Sequence, residues 1–413
     1  MEKTLLKYII CPFCAKGLEV DRVINIKDTS IIDGILSCPC RRHPIISGIL
    51  YLQGDEMSEK ALRLLDKKKA DAALFLMLEG RMMKKVISLT KRLHLSPSFW
   101  RIISFWNWKY WTDYLRYRFS APNFIASTAL MPIIKEAGGY MLDVCAGVGH
   151  FAFIAAKHIP ATKIVCMERR FTSLYLAREF FAPQAAGYIA WDAQQMLPFT
   201  DGFFNSVICL DSFHYVDTKY LFSREMARVL DKDGILLLPH SHNSNMPNVL
   251  PGTPLCPSHY QNLFSDFKLR MIPEEKMLND LLFENIVDIS LTEDVDDSSA
   301  FTLVASKNEA YFKRQNTEML FSSRPAHLIV NPIYKVKKCR DGIRLKLKFP
   351  CQLYKAEFPF IEKYFEKKLF IRNEELKDEE KRMSWQRRFV LVDMPERFMK
   401  KRILTDSFIR ENP

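Results

Sequence analysis

A hydrophobic run that ends on an acid and turns through two glycines into a second apolar run restricts this chain's fold more than any other feature. The stretch is MLDVCAGVGHFAF, residues 141–153. Residues 140–144 read as a short buried strand, and FAFIAAKHI, just after Gly149, reads as a helix. Gly147 and Gly149 allow a sharp backbone turn and let a ligand come close to the helix N-terminus. Strand-like and helix-like segments alternate over residues 121–308, the pattern of a parallel α/β sheet.

The corner also selects its ligand. Gly147-x-Gly149-x-x-Ala152 fits a loose dinucleotide fingerprint. Asp143 argues against that ligand, because a fixed carboxylate repels a pyrophosphate and attracts an ammonium. S-adenosylmethionine has an amino group and a sulfonium, and no phosphate. KIVCMERR, residues 163–170, predicts a second strand ending at Glu168, where an acid can accept from both ribose hydroxyls. AWDAQQMLPF places Asp192 to meet an adenine amine. NSVICLDSFHYV, residues 205–216, predicts a fourth strand, and REMARVLDKDGILLLP, residues 224–239, a helix, a turn and a fifth. ENIVDISLTE and AFTLVASK are expected to form the antiparallel hairpin that closes the sheet.

With these segments in order, residues 138–308 resemble a class I S-adenosylmethionine-dependent methyltransferase, of the branch that includes ubiquinone and menaquinone C-methyltransferases. LDVCAGVG resembles the first motif, with Cys145 where Gly is usual. WDAQQMLPFTDGFFNSVICLDSFHYV resembles the "GDA-x-x-LPF" segment, with Asn205 replacing Asp. REMARVLDKDGILLL resembles "RE-x-x-RVL-x-PGG", with Lys232-Asp233-Gly234 at the turn. The resemblance implies a Rossmann-like seven-stranded sheet. It also implies that Asp143 and the Ala146 and Gly147 backbone hold the methionine end, Glu168 the ribose, and Asp192 with the Ala193 backbone the adenine. Methyl transfer needs alignment and a base where the acceptor must lose a proton. The candidates are Asp211 and His214 after the fourth strand, and His240 and His242 after the fifth. In extended chain the last two share one face. Residues 241–264 form a loop-rich insertion expected to cover the acceptor pocket, and the aromatic segment 99–119 is either another wall or core.

Cys11, Cys14, Cys38 and Cys40 form a Cys-x2-Cys and a Cys-x-Cys pair, four soft ligands for one tetrahedral Zn2+. His43 is a spare ligand. A ribbon of about 50 residues has too small a core to stand without such a staple. The segment through PIISGILYL resembles the zinc ribbon of the activator subunit of tRNA and translation-factor methyltransferases. His43 stands there in place of Tyr, and Leu50 in place of Pro.

The net charge is +12, and residues 310–413 carry 25 Lys/Arg against 14 Asp/Glu, or +11. That segment could meet RNA or another anionic surface. Within it, GIRLKLKF, residues 342–349, alternates apolar and basic residues and predicts a half-buried strand, with IYKVKKCR as its hairpin partner. No apolar run approaches the ~20 residues of a membrane span, and the opening segment is too short for a secretory signal. The expected setting is cytoplasmic. The expected domains are a zinc ribbon (1–55), a helical linker or cap (56–120), a methyltransferase domain (121–308) and a basic α+β region (309–413). Three functions fit. The first is a methyltransferase on a small-molecule or lipid- or sugar-linked acceptor. The second is an rRNA or tRNA methyltransferase, and the third a non-catalytic adaptor on this fold.

Overall fold

The computed structural model describes residues 1–106, 109–248, 250–321 and 327–399. Two compact units appear. One comprises Met1–Glu79, Leu130–Glu274 and Asp288–Arg314, and the other Gly80–Ala129, Glu275–Val287 and Gln315–Pro413. Among the described residues no helix is long and apolar enough to cross a membrane.

The first unit is organised by one sheet. Its strands are β1 (Glu19–Lys27), β2 (Ser30–Ser37), β3 (Arg42–Ile46), β4 (Ile49–Tyr51), β5 (Met141–Val144), β6 (Ile164–Glu168), β7 (Gly187–Ala190), β8 (Phe204–Ile208), β9 (Leu230–His242), β10 (Lys268–Pro273) and β11 (Ala300–Ser306). Their spatial order is β1-β2-β3-β4-β7-β6-β5-β8-β9-β11-β10. The strands β7, β6, β5, β8 and β9 run parallel. All four residues of β5 and of β7 are buried, as expected where helices cover both faces. The chain leaves β5 to one side for β6 and to the other for β8, so the order reverses at β5. A crevice outside the carboxyl ends of the strands opens at such a switch point.

One expectation is corrected and one is extended. Residues 141–306 supply seven strands, and the four strands of the cysteine-bearing segment continue the same sheet to eleven. Its strand β4 pairs parallel with β7, Leu50 opposite Ile189. This explains Leu50, since a proline lacks the N–H that an inner strand uses. The closing antiparallel pair is β10 with β11, Lys268 opposite Ser306 through Pro273 opposite Phe301. ENIVDISLTE contributes only Ile286–Asp288, outside the main sheet. In KLRMIP, residues 268–273, the charges at Lys268 and Arg270 flank apolar positions, and Met271 and Ile272 are buried.

In the second unit the anticipated hairpin forms, Tyr334–Cys339 against Gly342–Leu347, and Lys368–Arg372 adds a third antiparallel strand. Ile343 and Leu345 are buried while Arg344 and Lys346 are exposed. In the aromatic segment, Phe99 stacks on Phe398 at 5.5 Å and Phe119 meets Phe124 edge-on at 5.3 Å, which is core packing within this unit. Asn107 and Trp108 of that segment lie outside the described residues, as do Val249 of the insertion and the last fourteen residues of the basic region.

Candidate functional site

The strand ends of the first unit assemble most of the expected side chains along one edge of the sheet. Asp143, in the last half of β5, is almost fully buried, and its Oδ2 makes no hydrogen bond. Burial, with the neighbouring Glu168 charge adding to it, pushes its carboxyl up to about 8. An orphaned carboxylate in such a place fits a cationic ligand group. Cys145 follows with φ of +59°, which costs an L-residue strain that glycine avoids and explains why the resembled motif has Gly there. The Ala146 amide donates to the Met167 carbonyl, and the Gly147 amide to Glu168 Oε2 at 3.2 Å. Glu168 also accepts from the Arg170 amide at 3.0 Å. Both backbone groups expected to hold the methionine end are thus engaged within the protein, and Glu168 ties the β5 corner to the end of β6.

The two glycines differ in a way that can be tested. A Cβ on Gly149 (φ +81°) would sit 2.9 Å from Ala177 Cβ. A Cβ on Gly147 (φ +54°) would meet nothing within 4 Å and would project into open space. Gly149→Ala is therefore expected to cost roughly 2–4 kcal/mol of folding stability. Gly147→Ala should cost only about 1–2 kcal/mol of stability but strongly weaken cofactor binding. Thermal melts and ligand titration of both variants check this.

Asp192 begins the loop after β7. Its Oδ1 accepts from the Gln194 amide at 3.0 Å, and Arg169 lies 3.8 Å from Oδ2. Ala193 is buried beside it. Two segments quoted above only for their resemblance hold this loop. Arg228 donates to the carbonyls of Leu197 (2.9 Å) and Phe199 (2.7 Å) and pairs with Glu225 at 2.6 Å. Glu225 accepts from the Leu197 amide at 2.7 Å. The RE-x-x-RVL helix therefore clamps the LPF turn through one Glu–Arg pair.

The acceptor-side candidates converge. His240 Nε2 and His242 Nε2 lie 3.6 Å and 3.7 Å from the same Asp211 oxygen. The His214 ring is 4.2 Å from that of His242. All four residues are buried. The two histidines do not meet by simple alternation. The pairing of β9 with β11 shifts between Phe301/Ser241 and Leu303/Leu238, a bulge at Pro239-His240 where His240 adopts φ of +55°. Asp211 is likewise left-handed, φ +53°. Such bulges re-aim side chains. The insertion closes over His214. The Thr253 amide donates to the His214 carbonyl at 2.8 Å, and a Cβ on Gly252 would meet the ring at 2.7 Å. Burial, with His242 beside it, drops His214 to about 3, so it stays neutral and is a poor base at neutral pH. Glu274, directly after β10, bonds His240 Nδ1. No sequence signal had marked it.

The four N-terminal cysteines also come together, with all four sulfurs within 4.8 Å of one another. Cys38–Cys40, Cys11–Cys40 and Cys14–Cys38 are 3.4, 3.6 and 3.8 Å apart. A tetrahedral ion with metal–sulfur bonds of about 2.3 Å spaces its ligands about 3.8 Å apart, so the set fits Zn2+ and not disulfides. His43 Nε2 stands 3.9 Å from Cys38, outside a cluster already complete. The cysteine knuckle reaches the Asp192 loop. Phe13 packs edge-on against Trp191 at 5.6 Å, one residue before Asp192, and Ile10 donates to the Pro198 carbonyl at 3.1 Å.

Residues 142–238, from β5 into β9, match the family model of a methyltransferase domain. The match lies within the first unit. Among solved structures, a candidate methyltransferase from Bacillus halodurans is 22% identical, covering 43% of this chain and 98% of its own, with a TM-score of 0.31. YcgJ from Bacillus subtilis is 17% identical, covering 44% and 98%, with a TM-score of 0.31. A chain of the complex between the Haloferax volcanii Trm112 activator and a methyltransferase is 15% identical, covering 41% and 82%, with a TM-score of 0.32. No curated protein matches the chain.

Proposed function

We propose that the chain transfers a methyl group from S-adenosylmethionine to a small-molecule or lipid- or sugar-linked acceptor. The single observation behind this reading is the buried carboxylate of Asp143, whose Oδ2 makes no hydrogen bond, at the switch point of a matched methyltransferase domain. When bound, the cofactor supplies an electrophilic methyl group to an acceptor lone pair. Asp143 would neutralise the amino end, Glu168 would release its backbone donors to meet the ribose, and Asp192 would face the adenine. The insertion over His214 would exclude water from the acceptor side. Four thiolates would hold a structural Zn2+. Incubating the full chain with methyl-labelled cofactor and a cell extract, then separating RNA from organic-soluble metabolites, tests the acceptor class. Label in the metabolite fraction is the expected result.

One observation favours a second reading, an RNA acceptor. Across the three-stranded sheet of the second unit, Lys335, Lys337, Arg344, Lys346, Lys368 and Phe370 all project, exposed, from one face. The register places Lys337 opposite Arg344, and Lys346 opposite both Lys335 and Lys368. Like charges directly opposite one another destabilise a sheet, and an anionic backbone would relieve the cost. If this face docks RNA, Lys335→Glu with Lys346→Glu weakens RNA binding about 10-fold or more at low salt and flattens its salt dependence. Filter binding at two salt concentrations checks it.

A further inference from the structure

We propose that Asp211, His240 and His242 form a second metal site, holding one divalent ion of the zinc class with an open position facing the acceptor. Three observations carry this. First, two imidazole Nε2 atoms approach one carboxylate oxygen at 3.6 Å and 3.7 Å, and the three ligand atoms lie within 4.8 Å of one another. An ion with bonds of about 2.0–2.1 Å to N and O ligands spaces them about 3.4 Å apart. The two imidazole–carboxylate separations need to close by only a few tenths of an ångström. Second, His242 Nε2 is buried, aimed at that oxygen, and makes no hydrogen bond. A buried imidazole nitrogen pointing at a carboxylate without bonding it is a cost that a cation between them removes. Third, the outer nitrogens are held. Glu274 bonds His240 Nδ1, and the Asn248 amide lies 2.6 Å from His242 Nδ1. A carboxylate partner of this kind fixes the tautomer of His240 that ligates metal through Nε2.

Two imidazoles and a carboxylate are a borderline donor set that suits Zn2+, Co2+ or Fe2+ rather than Ca2+ or Mg2+. Three protein ligands leave a position free, the mark of a site that binds something further, unlike the closed four-thiolate set. The left-handed backbone at Asp211 and His240 is the strain expected where side chains are held for a purpose other than packing. The open position takes an oxygen or nitrogen of the acceptor. This last step rests on the methyltransferase reading, whereas metal binding does not. It narrows the acceptor to compounds that offer a coordinating heteroatom near the methylated atom.

The test is metal stoichiometry of the full chain after loading with Zn2+ and exhaustive dialysis. Wild type is expected to retain about two equivalents, and Asp211→Asn and His242→Ala about one. Asn tolerates the left-handed backbone at 211, so the first variant keeps the fold if the second does not. Both variants should bind S-adenosylhomocysteine within about twofold of wild type, which separates loss of this metal from failure of the cofactor site. In the Co2+ form, azide should perturb the visible spectrum of wild type and not that of Asp211→Asn. Two equivalents retained by both variants, or one wild-type equivalent held by the cysteines alone, overturns the proposal.

Discussion

Replacing Asp143 by Asn is expected to weaken S-adenosylmethionine binding by about 30- to 1,000-fold, roughly 2–4 kcal/mol, the usual cost of removing one partner from a buried charge-assisted contact. The pH dependence sharpens the prediction. In the unliganded protein burial pushes Asp143 up to about 8, well above the ~3.9 of an unfolded Asp. The folded state therefore binds the extra proton between those values. The stabilising contribution of protonated Asp143 is fully present below about pH 4 and is lost as pH rises through about 8. Unliganded wild type should become less stable along that window, and Asp143→Asn should show a shallower slope. Binding of an ammonium needs the ionised acid, so cofactor binding releases a proton. Affinity should climb by up to about tenfold per unit between pH 6 and 7.5 in wild type and stay flat in the variant. Chemical denaturation and tryptophan fluorescence across the pH series read both effects.

Cys11→Ser together with Cys14→Ser is expected to disrupt far more than a local ribbon. The cysteine-bearing strands share one core with the methyltransferase strands. Ile9, Ile31, Leu36, Ile45 and Leu50 belong to the same buried cluster as Val165, Ile189 and Trp191. With the four thiolates holding Zn2+ as proposed, its loss would remove a large part of the ~10 kcal/mol such sites contribute to small domains. It should lower the midpoint of thermal unfolding by roughly 10 °C or more. Freed of β4, the edge of β7 would also be open to aggregation. Because Phe13 packs on Trp191 next to Asp192, the affinity for S-adenosylhomocysteine should fall as well. His43→Gln, outside the sulfur cluster, should leave the bound zinc unchanged. Scanning calorimetry and metal analysis of the two variants make the comparison.

The parts of the fold set by local chemistry could be read from the sequence. MLDV, IVCME and ILLL are legible because continuous apolar strands end at acids or turns, whereas LDKDG reads as a turn and instead opens β9 at Leu230. The 334–347 hairpin was found because Ile343 and Leu345 alternate with Arg344 and Lys346. What depended on long-range pairing could not be read. No periodicity announces that Leu50 lies beside Ile189, or that KLRMIP and not ENIVDISLTE closes the sheet. The site shows the same division. Asp143, Glu168 and Asp192 sit at strand ends, where order along the chain gives their place. The convergence of Asp211 on His240 and His242 needs a β-bulge and two left-handed residues, and Glu274 arrives from more than thirty residues away. The Glu225–Arg228 clamp was visible as a motif, but its purpose emerged only once Leu197 and Phe199 were seen to receive it.

The central claim is that the Asp143 corner holds the amino-acid end of the methyl donor. Calorimetric titration of the full chain with S-adenosylhomocysteine, in wild type and Asp143→Asn, tests it most directly. One site per chain in wild type, weakened at least 30-fold by the substitution, is the expected result. No binding to wild type, or equal binding by both proteins, contradicts the account.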